Sequence, residues 1–507
     1  MENIAQRNER INAAIDRAKL SRDLLGGTPA MRKGGWIKKG GAEALADFEN
    51  RVDGAVLFNG YARTVGYLTG QVFKKNLEIA EGSELQELFT LMQNDIDLQG
   101  NDLRTFAQQF FSDGLRDGAR LILVQYPTIR MNEAGQYFDE QEQEWRTRTR
   151  DTDQRMRWRP YFINIGYDDV LGWRYEYRDG VKILTQLRIR EFITEPGDLD
   201  IDDEQIEQVR LLERGSWSTW RKSTDKSSGG SESWYMVDEG MASIEDIPVA
   251  IFMPGERITD MTAIPALEDL AFLNLRHFIA TADQHVLMQF VRRPPWFGRA
   301  LVQGDESVTF GPGRMVHSSD PSAILQSVGI DPASVEAGRG ELSDIENRMA
   351  MYGLQLLVPS LRGGTKTATQ SQQESAESVS QLQNWAQSLK DCFDQAFKFA
   401  ALYEGVEAGE EPEIKLPVDF QPGMGLEPQT LITAVERGII PKQIAFEEFQ
   451  RRGLVAENYS WQDVLATLQR EDVGPTQMPG SPLDFLQTAA NRERSLTPGQ
   501  VSQTPQS

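Results

Sequence analysis

Cysteine is almost absent from this sequence. A single thiol, Cys392, in 507 residues excludes an internal disulfide framework and any cysteine-rich zinc site. Three histidines leave little for an imidazole metal centre or a His-dependent catalytic triad. Two of them, His277 and His285, stand too far apart along one helical stretch to share an ion easily. No apolar run reaches the roughly 18 residues that a membrane-crossing helix needs, and the mean hydropathy is −0.46. Met1-Glu2-Asn3-Ile4 has neither the basic start nor the apolar stretch of a secretory signal. Basic residues are in deficit, with 53 Lys+Arg against 76 Asp+Glu, a formal charge of −23. A pI near 4.7 argues against simple electrostatic attachment to nucleic acid or an anionic membrane. These absences predict a soluble protein of a reducing compartment, without a catalytic centre and without a cofactor.

What is present is pattern. The length suggests about three structural units, and 39% hydrophobic residues allow a sizeable core. Apolar residues recur at helical spacing over 1–20, from Glu43 to Phe73, and over 101–118 (Leu103, Phe106, Phe110, Leu115). A strand-like run follows at 119–124. From 160 to 253 the period changes to that of extended chain, rich in aromatic and β-branched residues. Arg178-Asp179-Gly180 between two such runs is a hairpin signal, because Asp-Gly tolerates the positive φ of a tight primed turn. Helices return at 264–290. Residues 291–333, broken by five prolines, read as turns and short strands. Two further helical seams carry Leu342, Ile345, Met349, Tyr352 and Leu356, then Val379, Leu382, Ala386, Leu389, Phe393, Ala396 and Ala400. Both alternate steps of three and four, which aligns an apolar stripe for another helix. Small helices are expected at 428–437, 442–452 and 460–470. The Pro/Gln/Ser/Thr-rich 474–507 reads as disordered.

Several motifs reduce to simpler readings. Gly363-Gly364-Thr365-Lys366-Thr367 lacks the glycine directly before lysine that a phosphate loop requires, and a helix rather than a strand precedes it. The acidic run from Asp198 to Glu204 has Asp203 and Val209 where a calcium loop needs glycine and glutamate. The arginines at 146, 148, 150, 155, 157 and 159 are balanced by acids within 139–159, giving a self-neutralised surface arm. Helices at 428–470 carry matched charges and no positive face for a DNA groove. Cys392, beside Phe393 on an apolar seam, reads as a buried thiol.

The order of features along about 45–405 resembles phage portal proteins, the group built around a domain of unknown function. The residues carrying the resemblance are Gly60 to Phe73, Gly166-Tyr167-Asp168-Asp169-Val170-Leu171-Gly172-Trp173-Arg174, and Leu187 to Glu191. Ile247-Pro248 comes next, then Pro265 to His277, Met351 to Leu357, and Thr367-Ala368-Thr369. The resemblance implies an α+β portal fold. It would have a β-rich and helical wing (1–255), a first stem helix (256–290), a small clip (291–333) and a second stem helix (334–357). A tunnel loop (358–370), a long tunnel helix with return to the wing (371–424) and a helical crown region (425–473) would follow, with the tail at 474–507. It implies a ring of twelve copies at one capsid vertex of a virion, a conduit for packaging and ejecting double-stranded DNA, and no enzymatic activity. Implied partners are the terminase large subunit, adaptor or head-tail connector proteins, and the major capsid and scaffolding proteins, with no membrane. By the same resemblance Ser360, Arg362, Thr365 and Lys366 would face DNA, and Trp296 and Arg299 in the clip would contact terminase or adaptor. Acidity fits DNA that must slide, since each neutralised phosphate adds affinity. The competing reading is a magnesium-dependent cytosolic hydrolase or nuclease using the carboxylate pairs Asp168-Asp169 and Asp202-Asp203.

Overall fold

The computed structural model describes residues 3–299, 320–354, 368–406 and 414–416, with breaks at 75–76, 80–85, 128, 130, 133, 140–141, 196–202 and 223–233, and scattered positions from 432 to 465. These residues form an α+β fold, as the resemblance implies. The chain divides into two compact units, one of residues 1–371 and 380–420, the other of 372–379 and 421–507.

In the first unit, Asn8 caps α1 (Glu9–Leu25) by accepting from the Arg10 amide, and α2 (Gly27–Lys33) follows. The single helix expected from Glu43 to Phe73 is two, α3 (Leu45–Gly54) and α4 (Gly60–Val72). The Asn59 side chain accepts from the Ala62 amide at 2.9 Å and starts a new helix there, because this satisfies a donor that an unbroken helix would have bonded internally. The short strand β1 (Glu78–Ile79) and α5 (Gln86–Asn94) lead to α6 (Leu103–Asp117), capped by Asp102, and to β2 (Arg120–Gln125). A hairpin of β3 (Gln136–Asp139) and β4 (Glu144–Thr147) and the short α7 (Arg150–Met156) precede β5 (Tyr161–Ile165).

The β-rich section is an antiparallel meander of β6 (Val170–Arg178), β7 (Val181–Glu195), β8 (Glu204–Glu213), β9 (Ser216–Lys222) and β10 (Trp234–Met241), each strand paired with the next. The expected tight turn joins β6 to β7, with φ of 51° at Asp179 and 83° at Gly180. Both central residues therefore take the positive φ of a primed turn. β11 (Val249–Phe252) pairs with β2 rather than with the meander, giving a three-stranded sheet in the order β11-β2-β5. Next come α8 (Glu268–Arg292), β12 (Trp296–Arg299), β13 (Ile324–Ser327) and α9 (Pro332–Met349). A π-helical turn (Ala350–Leu354), the 36-residue α10 (Ala368–Tyr403), of which 372–379 are counted with the second unit, and β14 (Ile414–Lys415), which pairs with β1, follow. In the second unit α11 (Lys442–Arg451) buries Ala445, Phe446 and Phe449 against Ile432, Val435 and Val455.

β2 is buried on both faces because two cores meet on it. Ile122 and Val124 belong to the helical core, while Leu121 and Leu123 belong to the core beneath the meander. A chain of aromatic rings locks α10 into the helical core. Phe393 lies 5.8 Å from Phe110 and Phe397 lies 5.1 Å from Phe162, ring centre to ring centre. Such pairs add to what burial already contributes. Cys392 lies on the same seam, fully buried, and burial pushes its thiol well above the ordinary range.

The cores are tied by a buried charge. The Asp117 side chain has no exposure, yet it accepts from Arg22 at 2.8 Å and from Arg116 at 2.8 Å, with Arg120 at 3.4 Å. Burial by itself would raise its pKa; Arg116 and Arg22 outweigh that, and the carboxyl lies below its usual range. The arginine arm is self-neutralised as expected, but it is not all surface. Arg159 is buried and pairs with Asp95 at 3.2 Å, so the arm is pinned to the body at that point.

Two stability predictions follow from this packing. Phe393→Ala removes a ring shared by three aromatic neighbours and lowers unfolding free energy by about 3–5 kcal/mol in a denaturant titration. Asp117→Asn leaves buried guanidiniums uncompensated and costs a similar ~3–5 kcal/mol near neutral pH. Because the folded-state pKa of Asp117 is depressed, its contribution is complete above the unfolded value of about 3.9 and is lost as pH falls through the folded value. The stability gap between wild type and Asp117→Asn therefore narrows below about pH 4, and a gap independent of pH would refute the assignment.

Candidate assembly surface

α8 and α9 run antiparallel. Arg276 meets Glu341 at 2.9 Å, His277 meets Glu346 at 3.1 Å, and the Gln284 side-chain amide donates to the Val335 carbonyl at 3.2 Å. Partners thus descend along α9 as they ascend along α8. Asp331 caps α9 by accepting from the Ala333 amide, and Pro332 at its first position has no amide to satisfy. α9 begins almost three turns before the apolar seam that the spacing identified. Those turns carry Ala333, Ser334, Ala337, Gly338 and Gly340, too small to register as a stripe. Gly338 has a reason inside the chain, since a Cβ there would overlap the Gln284 carboxamide.

The body grips the first half of α8. Arg17 holds Glu268 with two bonds of 2.5 and 2.7 Å. Asn274, fully buried, accepts from the Tyr61 amide at 2.8 Å and donates to the Phe58 carbonyl at 2.9 Å. This side chain supplies partners to two groups at the start of α4, which is why a polar residue sits in an apolar seam. The sequence reading passed over it, although its interruption of that seam was a signal. Beyond Asp283, which pairs with Arg51 at 3.0 Å, α8 projects toward a two-stranded ribbon. There β12 pairs antiparallel with β13, Trp296 opposite Ser327 and Arg299 opposite Ile324.

This end of the hairpin is apolar and open. All eight strand residues of the ribbon are exposed. Trp296 is 51% exposed and Phe297 55%, and Ile324, Leu325 and Val328 are exposed beside them. On α8 itself Phe290 and Val291 are exposed, and Phe272 is 56% exposed. A groove of about 600 Å³ runs along α8 between Phe272, Leu275, Ile279 and Leu287 on one wall and Ser334, Gly338 and Glu341 on the other. Large apolar side chains exposed together at the ribbon are the kind of surface that marks an interaction site.

Of the sequence-identified site residues, Trp296 and Arg299 share β12 and are exposed at the ribbon. Ser360, Arg362, Thr365 and Lys366 lie outside the described residues, as does the phosphate-loop-like 363–367. The carboxylates of the competing reading are occupied structurally. Asp168 pairs with Arg22 at 2.5 Å, its carbonyl accepts from Arg7 and Arg190, and the Asp169 carboxylate accepts from the Gly166 amide. Asp202 lies outside the described residues. Among the described residues no group of three His, Cys, Asp or Glu side chains is placed to hold a metal, and no helix is long and apolar enough to cross a membrane. His277 is spent bridging α8 to α9, and His285 bonds Gln289 at 2.9 Å.

No curated protein matches the chain. The family described as "Domain of unknown function (DUF4055)" matches residues 266–404, the stretch from α8 through α10. Among solved structures, the chain is similar to a component of the neck of an empty gene transfer agent particle computed with C6 symmetry, at 10% identity and a TM-score of 0.40, covering 78% of this chain and 89% of that one. It is also similar to a component of the native particle's neck computed with C12 symmetry, at 10% identity and a TM-score of 0.38, covering 76% and 88%. A chain of the native gene transfer agent virion is similar at 12% identity and a TM-score of 0.38, covering 82% and 90%.

Proposed function

We propose that this chain is the subunit of a portal ring, a structural conduit at one vertex of a phage-type particle through which double-stranded DNA is packaged and ejected. The observation that carries the reading is the antiparallel α8–α9 hairpin ending in a wholly exposed apolar ribbon. A two-stranded ribbon is marginal by itself in water, and an exposed helix face of this length needs a partner. Copies of the same chain arranged about one axis supply both without any further protein. In this reading α8 and α9 are the stem and the ribbon with 300–319 is the clip, where Trp296 and Arg299 contact the terminase large subunit or an adaptor. Residues 358–370 are the tunnel loop, with Ser360, Arg362, Thr365 and Lys366 toward DNA. The wing, the crown, the twelvefold ring and contacts with capsid and scaffolding proteins belong to the same proposal. The resemblance over about 45–405 supports it, and so does the charge. A chain of net charge −23 holds polyanionic DNA weakly, which suits a passage in which DNA slides.

Negative-stain electron microscopy of the purified protein is expected to show rings with a central hole. Only monomers or dimers at high concentration would overturn the reading. Arg362→Glu combined with Lys366→Glu is expected to leave ring assembly intact and to impair DNA packaging in a particle-based assay. Loss of rings in that double variant would make the segment structural instead.

A further inference from the structure

α9 carries two glycines close together, and only one of them is explained within the chain. Gly338 is where the Gln284 side chain crowds in; at Gly340 an added Cβ would meet nothing within 4 Å. Glycine inside a helix is destabilising relative to alanine, and here nothing in the same chain requires it. Gly340 sits on a flank of α9 turned away from α8, with Ala333, Ala337 and Asp344, all exposed. Their spacing alternates four and three, so they form one continuous seam with small residues at its centre.

α8 has the complementary seam. Phe272, Arg276, Ile279, Asp283 and Phe290 follow the same spacing along its open side, beside the groove. The cross-links between the two helices fix their relative heights. Arg276 is level with Asp344, and Ile279 is level with Gly340. In a closed ring every copy stands at the same height on the axis. An α9 from a second copy laid against the α8 groove therefore brings a large apolar residue onto a glycine and, one turn away, Arg276 onto Asp344.

We propose that the α8 groove receives the Ala333–Gly340–Asp344 flank of α9 from the adjacent copy, so that each subunit offers large residues on one side and small ones on the other. The contact is head-to-tail, the kind that closes into a ring. It rests on the ring reading and deepens it by naming the two faces. Arg276 keeps its own partner Glu341 and remains exposed enough, at 65% of the side chain, to take a second partner.

Two variants and one cross-link test it. Gly340→Ala is expected to hold or raise the melting temperature, since its Cβ enters open space on a helical backbone. Gly340→Leu is expected to melt as the wild type does while losing rings in electron microscopy. In Ile279→Cys combined with Gly340→Cys, oxidation is expected to give a ladder of covalent multimers that collapses on reduction, with neither single variant doing so. The native Cys392 is buried and does not compete. Rings that persist in Gly340→Leu, or a double-cysteine protein that forms rings yet stays monomeric on a denaturing gel, would overturn the seam while leaving the ring reading intact. Absence of rings in the wild type would overturn both. If Gly340→Leu melts early, the cysteine pair decides.

Discussion

A carboxylate without access to water is the constraint on which the body of this protein depends. Asp117 ends α6, and ionised it must be met by charge, since solvent cannot reach it. Arg22 comes from α1, Arg116 from α6 itself and Arg120 from β2. Arg22 continues to Asp168 in the connection between β5 and β6, whose carbonyl collects Arg7 and Arg190. One buried side chain therefore fixes where the N-terminal helix, the three-stranded sheet and the meander stand relative to each other. An apolar contact at the same place would tolerate sliding; directional bonds to a buried charge do not.

The remaining architecture follows from where that junction leaves the apolar surface. β2 is sandwiched, so the helical core forms on one side of it and the core of the meander on the other. Phe393 and Phe397, one turn apart on α10, close the helical core through Phe106, Phe110 and Phe162. With the body filled, α8 is held along its first half by Arg17, Asn274 and Arg51. Its last two turns lie beyond these ties. The surface left bare is thus set by how far the body reaches along α8.

Much of this was legible in the sequence where local chemistry and long-range packing agree. Asp179-Gly180 announced a hairpin because its backbone preference and the flanking alternation point the same way. The seam of α10 was legible because its apolar spacing is the spacing of the ring cluster it joins. The boundary between α3 and α4 was missed: continuous apolar spacing masked the capping signal of Asn59. The apolar seam alone places the start of α9 too late for the opposite reason, since Asp331-Pro332 is a strong start signal but the turns it opens contain no large apolar residue. What Asn274 bonds, and that Arg22 meets Asp117, were invisible because those partners lie far away in sequence, and no local pattern encodes such a meeting. Exposure, too, is a property of the assembled chain. Trp296 could be placed in a short strand from its proline-rich surroundings, but that its whole ribbon is uncovered could not.

The ribbon of β12 and β13 has one further consequence. The order of α6 or α10 is secured by contacts within the chain and is the same in a dilute or a concentrated solution. The order of an uncovered two-stranded ribbon is secured by whatever covers it, so its opening free energy carries a mass-action term. If copies of the chain are what covers it, as proposed, amide hydrogen exchange at Phe297 and Leu325 becomes a gauge of local subunit concentration, fast in the lone chain and slow where copies are gathered. A segment of this kind completes its folding only at the place where it is used.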